Sequence, residues 1–396
     1  MKRKLAVVAL AVVLAGGFYL NQRTTHERAD VAKGLRLSAL LSGPADGFAT
    51  VEAPREFEFP LDHGAHRAYR TEWWYFTGHL QSESGHRLGF QLTFFRFALS
   101  APKQDQRSSQ LADVTITDKK SESRWETNNV YMAHFAVSDI SGGAFHSFER
   151  VSREAIGLAG ATAAPFSVWT EDWSATSEAE AFLPMHLEAR DDDVWLSLSL
   201  YPGKPMVTQG DNGYSQKSDE PGNASHYYSF TRLPARGRVS LTGEPFSVSG
   251  NVWLDREWST SALAVHQIGW NWFALQLDDG REIMFYQLRN DDGGVDSHSA
   301  GVLVNAHGST LVLSARDVSI EVLEHWTVPG TQTRYPVRWR MSIERLAMSF
   351  DIAADIVDQE HTHSVRYWEG AASVEGFELN EAIQGRAYVE LTGYVD

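Results

Sequence analysis

The sequence feature that most constrains the fold is a tryptophan-rich hairpin pattern that occurs twice, about two hundred positions apart. The first copy spans Trp73–Arg96 and the second spans Trp270–Arg289. Each copy contains two apolar, aromatic segments joined by a polar turn, which ends at Gly85 in the first and at Gly280 in the second. This is typical of a β-hairpin. A repeat at this distance indicates a duplicated β module, and therefore two related domains.

Composition narrows the class of protein. A chain of 396 residues is long enough for two domains that each bury a core without metal or disulfide help. The absence of cysteine excludes disulfides, thiolate catalysis and cysteine-ligated metal sites. The formal net charge of -16 argues against nucleic acid or an anionic membrane surface as a partner, since both need a basic surface. The abundant aromatic residues, 13 Trp, 20 Phe and 13 Tyr, can line a cavity for an apolar ligand as well as fill a core.

The N-terminus has the layout of an export signal. Three basic residues, Lys2, Arg3 and Lys4, precede an unbroken apolar run over Leu5–Leu20. The run is short for a membrane-spanning helix, but it lacks both a clear cleavage site and the cysteine of a lipoprotein signal. Cleavage and retention as an inner-membrane anchor both stay open, with retention favoured. We expect an exported, periplasmic protein in which residues 1–50 form the signal or anchor and a tether, and which contacts the membrane only there.

From Val51 onward, short alternating segments bounded by Gly, Pro, Asn and Asp indicate an all-β fold. Val194–Leu200 shows the alternation best, with apolar and polar side chains on opposite faces. The spacing of such segments fits a sandwich or an up-and-down barrel, and a barrel leaves an interior for a ligand. We place the junction of the two domains within Gly237–Gly250, which gives domains at 51–243 and 244–396.

Two strand-like segments carry carboxyl groups among tryptophans. In the first, alternation places Glu72 and Trp74 on one face and Trp73 and Tyr75 on the other. A carboxyl group packed against aromatic rings is desolvated, which raises its pKa and makes Glu72 a candidate proton donor. The alternative is a structural ion pair of Glu72 with Arg70 or another buried cation.

The second segment runs from Trp253 to Trp258. Alternation places Asp255 and Glu257 on one face and Arg256 and Trp258 on the other. Two neighbouring carboxyl groups resist joint ionisation, so one of them can hold a proton near neutrality and act as a general acid. The alternative is a charge network with Arg256 that fixes the joint between the domains.

Two further groups of polar residues are weaker candidates. Lys217 lies in a polar loop and His226 in the aromatic strand that follows it. Loops at the mouth of a barrel often bind the polar groups of a ligand, so both are candidate contacts. His361 and His363 point to one side of a strand, but no third ligand is evident, so we predict no metal site. The sequence has no nucleophile elbow, phosphate-binding loop, zinc-protease motif or dinucleotide fingerprint. We therefore expect no cofactor.

The chain resembles the AttH-like secreted proteins, sometimes called predicted secreted hydrolases, which are related to the carotenoid 1,2-hydratase (hydroxyneurosporene synthase) superfamily. The resemblance runs from Val51 to Asp396. It rests on a series of uncommon strings in one order: Tyr69–Tyr75, Gly89–Arg96, Ala133–Phe135, Ser225–Tyr228, Leu254–Trp258, Gly269–Phe273, Tyr367–Gly370 and Leu391–Tyr394. It implies two lipocalin-like antiparallel β-barrels packed together.

The resemblance also bears on function. The hydratase relatives protonate an isolated alkene and add water to the resulting cation, which needs a neutral carboxylic acid and aromatic faces. Where the hydratase pattern has a histidine and an aspartate, this chain has Arg256 and Gln287. We therefore do not expect carotenoid hydration itself, and no nucleophile supports the name hydrolase.

Three functions follow as alternatives. The first is binding of an apolar or amphipathic small molecule, such as a lipid or isoprenoid, in an aromatic-lined barrel cavity. The second is a hydratase or isomerase in which Asp255, Glu257 or Glu72 is the acid and Trp258 stabilises a cation. The third is a periplasmic accessory subunit that partners the permease of an ABC-type exporter. The predicted ligand-binding residues are Trp73, Trp74, Lys217, His226, Arg256, Tyr286, Arg289, Trp368 and Glu369.

Overall fold

The computed structural model describes residues 45–102, 127–261 and 263–395, and these residues are almost entirely β. The predicted signal or anchor run, Leu5–Leu20, lies outside the described residues. Within the described ranges, no helix has the length and apolar character that crossing a membrane requires. Export and a permease partner stay predictions.

In the described ranges, the first sheet contains 13 antiparallel strands in the order β4-β3-β2-β1-β13-β12-β9-β8-β7-β6-β5, with β10 and β11 also paired to β12. A short 3₁₀ helix, Leu61–His63, precedes it. The strands are β1 (Thr71–Ser82), β2 (Arg87–Ala98), β3 (Asn129–Asp139), β4 (Ala144–Arg153), β5 (Ala159–Ala163), β6 (Phe166–Thr170), β7 (Trp173–Ser177), β8 (Met185–Asp191), β9 (Val194–Leu200), β10 (Val207–Thr208), β11 (Tyr214–Gln216), β12 (Ala224–Ser240) and β13 (Phe246–Ser259).

The second sheet contains 10 antiparallel strands in the order β17-β16-β15-β14-β23-β22-β20-β19-β18, with β21 paired to β22. A 3₁₀ helix, Glu344–Leu346, connects β19 to β20. The strands are β14 (Gln267–Leu277), β15 (Glu282–Asn290), β16 (Ala300–Val304), β17 (Thr310–Ser314), β18 (Ser319–Thr327), β19 (Arg334–Ile343), β20 (Met348–Ala354), β21 (Glu360–Thr362), β22 (Arg366–Glu378) and β23 (Glu381–Leu391). The chain passes from one sheet to the other between β13 and β14. The predicted second domain, residues 244–396, therefore includes β13, which belongs to the first sheet.

Both tryptophan-rich segments form hairpins, β1–β2 in the first sheet and β14–β15 in the second. Their turns contain Gly85 at φ +87° and Gly280 at φ +84°, a left-handed conformation that favours glycine. In each turn the glycine N–H donates to the carbonyl three residues earlier, at 3.0 Å and 3.1 Å. The two copies therefore have the same local structure.

Each sheet curls around its own apolar core into a barrel or half-barrel, which confirms the predicted all-β fold with two packed units. Trp74 and Phe76 of β1 point into the first core, and Phe273 and Leu275 of β14 point into the second. The alternate side chains of these strands pack in a third cluster between the sheets. The strands at this junction are therefore buried on both faces.

A buried ion cluster joins β1, β2 and β13 on the inner face of the first sheet. Glu72 is fully buried, accepts a hydrogen bond from Arg96 Nε, and accepts another from Arg256 Nη2 at 2.6 Å. Burial alone would raise the pKa of this carboxyl group, but the two guanidinium groups outweigh it and hold the pKa well below its usual range. Glu72 is thus placed as a structural counterion, in line with the ion-pair interpretation of its segment.

We expect Glu72→Gln to destabilise the fold by about 3–5 kcal/mol, because it leaves two buried guanidinium groups without their counterion. Glu83→Gln, at an exposed position of the following turn, is the matched control and should change stability by less than about 0.5 kcal/mol. Denaturant unfolding of both variants measures this. Equal stability of the two variants would contradict the structural role.

Candidate functional site

A cavity of about 70 Å³ lies between the two sheets. Sequence reasoning placed the ligand cavity inside a barrel, whereas the side chains lining this cavity come from strand faces turned away from the two cores. The lining residues are Trp73, Tyr75, Phe95, Lys217, Tyr227, Asp255, Glu257, Trp270, Trp272, Tyr286, Leu288 and Glu390.

The two hairpin copies contribute equivalent positions to opposite walls. Trp73 and Tyr75 are the first and third residues of the aromatic run in β1, and Trp270 and Trp272 hold the same places in β14. The rings of Tyr75 and Trp272 meet edge to face at 5.1 Å between centroids. The duplication therefore builds the cavity from two facing copies of one strand pattern.

Strand register adds the carboxyl groups. On the first wall, Asp255 of β13 lies opposite Tyr75, and Glu257 lies opposite Trp73. On the second wall, Glu390 of β23 lies opposite Trp272 of β14. Because cross-strand neighbours share a face, each carboxyl group is held beside an aromatic ring.

Asp255 is the most constrained acid in the cavity. Its carboxyl oxygens accept hydrogen bonds from Tyr227 Oη, from Ser229 Oγ at 2.5 Å and from Trp253 Nε1 at 2.7 Å. These neutral donors favour the charged form, but burial outweighs them and, together with the nearby charge of Glu257, raises the pKa of Asp255 to about 7. Asp255 can thus exchange a proton near neutral pH.

Glu257 has a different partner. Its carboxyl group accepts a hydrogen bond from Ser225 Oγ and lies 3.2 Å from Lys217 Nζ. The ammonium also lies 4.0 Å from the ring centroid of Tyr286. Burial would lower the pKa of Lys217, but Glu257 and Tyr286 outweigh this and raise it. This end of the cavity therefore holds an ion pair against an aromatic ring.

Two acids, Glu390 and Glu369, occupy neighbouring positions at the second wall. Glu390 accepts a hydrogen bond from Trp270 Nε1 at 3.2 Å, and burial together with Glu257 and Asp255 raises its pKa to about 7. Glu369 lies opposite Glu390 in the neighbouring strand and accepts a hydrogen bond from Tyr75 Oη at 2.5 Å. Burial is the main cause that raises the pKa of Glu369 well above its usual range, and the negative charge of Glu390 adds to it. Glu369 thus lies beside Glu390 and bonds to the lining residue Tyr75 without lining the cavity itself.

Five of the predicted site residues meet at this cavity: Trp73, Lys217, Asp255, Glu257 and Tyr286. Sequence reasoning missed seven lining residues, namely Tyr75, Phe95, Tyr227, Trp270, Trp272, Leu288 and Glu390. The same alternation that sorted the faces of β1, applied to both hairpins, would have found Tyr75, Trp270 and Trp272. The others become visible only when distant strands are paired.

Five other predicted residues lie on the inner face of the first sheet, namely Glu72, Trp74, His226, Arg256 and Trp258. Arg256 belongs to the Glu72 cluster, and its guanidinium carbon lies 3.9 Å from the ring centroid of Trp74. Trp258 stacks on His66 at 3.7 Å, so it faces away from Asp255 and cannot stabilise a cation formed beside that acid. His226 packs near Trp258, and burial lowers its pKa to about 4.

The remaining predicted residues have places in the second unit. Trp368 is a core residue whose indole donates to Val357 O at 2.8 Å. Arg289 lies over the Tyr394 ring at 3.6 Å and donates to Thr392 O at 2.7 Å, which secures the C-terminal segment. Neither lines the cavity.

His361 and His363 lie at a separate contact between the units. His361 is fully buried and stacks on Tyr367 at 4.5 Å, and His363 Nε2 lies 3.1 Å from Ser147 Oγ. Within residues 45–102, 127–261 and 263–395, no three His, Asp or Glu residues are grouped so that they could hold a metal ion.

Comparison with known proteins identifies the family. A family model described as AttH-like matches residues 50–394, while no curated protein matches. The crystal structure of the AttH-designated protein NE1406 from Nitrosomonas europaea is similar with a TM-score of 0.74 and 32% identity, covering 88% of this chain and 100% of that one.

More distant structures share the fold. Kievitone hydratase from Nectria haematococca has a TM-score of 0.66 at 14% identity, covering 89% of this chain and 98% of that one. A structure of CghA has a TM-score of 0.50 at 14% identity, covering 90% of this chain and 97% of that one. The family match over nearly all of the described chain, together with the likeness to NE1406, shows that this chain belongs to the AttH-like family.

Proposed function

We propose that this protein binds an apolar or amphipathic small molecule in the cavity between its two sheets. The observation that carries the proposal is the lining itself, in which seven of the twelve side chains are aromatic. Small-molecule sites are typically concave and apolar, with a few placed polar groups. Asp255, Lys217 and Glu390 supply such groups here.

The size of the cavity limits the ligand. At about 70 Å³ it is well below the roughly 300–1,000 Å³ of pockets that enclose drug-sized ligands. In this conformation it takes one ring or one branched alkyl group. Trp73 and Trp270 are the half-buried tryptophans of the lining, so a longer molecule would extend past them toward solvent.

A single-ring amphipathic probe, p-cresol, tests the site. We expect saturable binding with a Kd below about 1 mM, measured by titration of the tryptophan fluorescence, because three tryptophans line the cavity. Leu288→Phe, which fills part of the cavity, should weaken binding at least tenfold. The exposed Leu379→Phe is the matched control and should bind like the unmodified protein.

Melting curves followed by circular dichroism verify that Leu288→Phe is folded. Equal affinity of the two variants would place the probe elsewhere. Absence of saturable binding to the unmodified protein would contradict the proposed function.

A cofactor-independent hydratase or isomerase is the second candidate, favoured by one observation. Asp255 is a buried acid with a pKa of about 7 at a cavity wall that also holds Trp272. Protonation of an alkene carbon by such an acid leaves a cation that aromatic faces stabilise, and addition of water followed by loss of a proton gives an alcohol and restores the acid. Kievitone hydratase shares the fold of this chain.

The premise of this candidate is the proton on Asp255, which stability measurements test. In the window between about pH 4 and pH 7 the folded state keeps this proton while the unfolded state has lost it. The folded state then binds more protons, so the contribution of Asp255 to stability falls as pH rises. Asp255→Asn has no such titration. We therefore expect the unfolding free energy of the unmodified protein, relative to Asp255→Asn, to fall by about 2–4 kcal/mol from pH 4 to pH 8.

Asp192→Asn, at an exposed position, is the control and should follow the unmodified protein across this range. Urea unfolding at several pH values gives the comparison. If the unfolding free energies of Asp255→Asn and the unmodified protein change in parallel with pH, Asp255 does not hold a proton near neutral pH and the second candidate function fails.

A further inference from the structure

We propose that the ligand carries a small organic cation, a tertiary or quaternary ammonium group with short alkyl substituents, and that this group is held between the aromatic rings and the carboxyl groups of the cavity. The inference rests on the proposed function and names the class of ligand that this site takes. Three features of the cavity carry it.

The first feature is an excess of acids over bases in the lining. Asp255, Glu257 and Glu390 line the cavity together with one basic side chain, Lys217. Lys217 is paired with Glu257. In the parts of the chain that the structure describes, Asp255 and Glu390 form no ion pair with Lys, Arg or His. A bound cation would supply the countercharge that these two acids lack.

The second feature is that the polar atoms of five lining rings, Tyr75, Tyr227, Trp270, Trp272 and Tyr286, already form hydrogen bonds. Tyr227 Oη donates to Asp255 and accepts from Trp272 Nε1 at 3.3 Å, and Trp270 Nε1 donates to Glu390. Tyr75 Oη donates to Glu369. The rings therefore offer a ligand mainly their faces and edges. Such surfaces attract a cation, whereas an anion or a strong acceptor would find few donors here.

The third feature is Lys217, which already shows this mode of recognition within the protein. Its ammonium lies 4.0 Å from the Tyr286 centroid and 5.6 Å from that of Tyr227, while Glu257 supplies the countercharge. Asp255 with Tyr75, and Glu390 with Trp272, repeat the pairing of a carboxyl group with a neighbouring ring. The raised pKa values of Asp255 and Glu390 agree with acids that have no countercharge of their own.

Choline and its neutral carbon isostere, 3,3-dimethyl-1-butanol, form a matched pair of probes that differ in charge but hardly in shape. We expect the full protein at pH 8 to bind choline at least tenfold more tightly than the isostere, in titrations followed by tryptophan fluorescence and confirmed by saturation-transfer NMR. Glu390→Gln should reduce the affinity for choline by at least fivefold and reduce the ratio between the two probes. The exposed Glu381→Gln of the same strand is the control and should keep that ratio.

The outcomes separate the two proposals. If the isostere binds as tightly as choline, the cation inference fails while the cavity remains a ligand site. If choline is preferred but Glu390→Gln keeps the full preference, recognition of the cation takes place elsewhere and the inference fails. If neither these probes nor p-cresol bind, the proposed function fails with it.

Discussion

The structure depends on strands that are buried on both faces where the two sheets meet. In β1, β13, β14 and β23, one face completes the core of its own sheet and the other packs against the partner sheet. Most side chains of these strands at the junction are buried, so a buried polar side chain there needs a specific partner. Neighbouring residues of β13 meet this demand in opposite ways. Arg256 closes the ion cluster around Glu72, while Asp255 faces the cavity and accepts hydrogen bonds from neutral donors. The structural ion cluster and the candidate ligand cavity are thus separated by one residue along a single strand.

Local sequence patterns predicted much of this arrangement. Alternation correctly divided Glu72 and Trp74 from Trp73 and Tyr75, and it placed Asp255 and Glu257 together on one face. The repeated hairpin predicted two related β units, and the resemblance identified the family. What alternation lacks is the pairing of distant strands. Only the register of β1 with β13 brings Arg256 to Glu72, and only the contact between the sheets decides which face of β13 meets the cavity. For the same reason Glu390, near the end of the chain, carried no signal in its own segment.

The lining of the cavity combines three carboxyl groups with aromatic rings, and we propose that it suits a positive charge. Carboxyl groups and aromatic faces line it, and the lysine that shares it is already paired. A ligand that carries a cation and a substrate that becomes a cation on protonation make the same demand on such a site. Binding and catalysis are therefore distinguished by whether the bound molecule is released unchanged. Catalysis would use the proton of Asp255, whereas binding of a cation would use the negative charges of Asp255 and Glu390.

We propose that the ligand site lies between the two sheets and inside neither of them. A crystal of the protein soaked with p-bromophenol tests this most directly, because bromine is located by its anomalous scattering. We predict that the strongest bromine peak lies between the sheets, within about 4 Å of the rings of Trp272 and Tyr286. A peak within either barrel core, or peaks confined to the outer surface while this cavity stays empty, would contradict it.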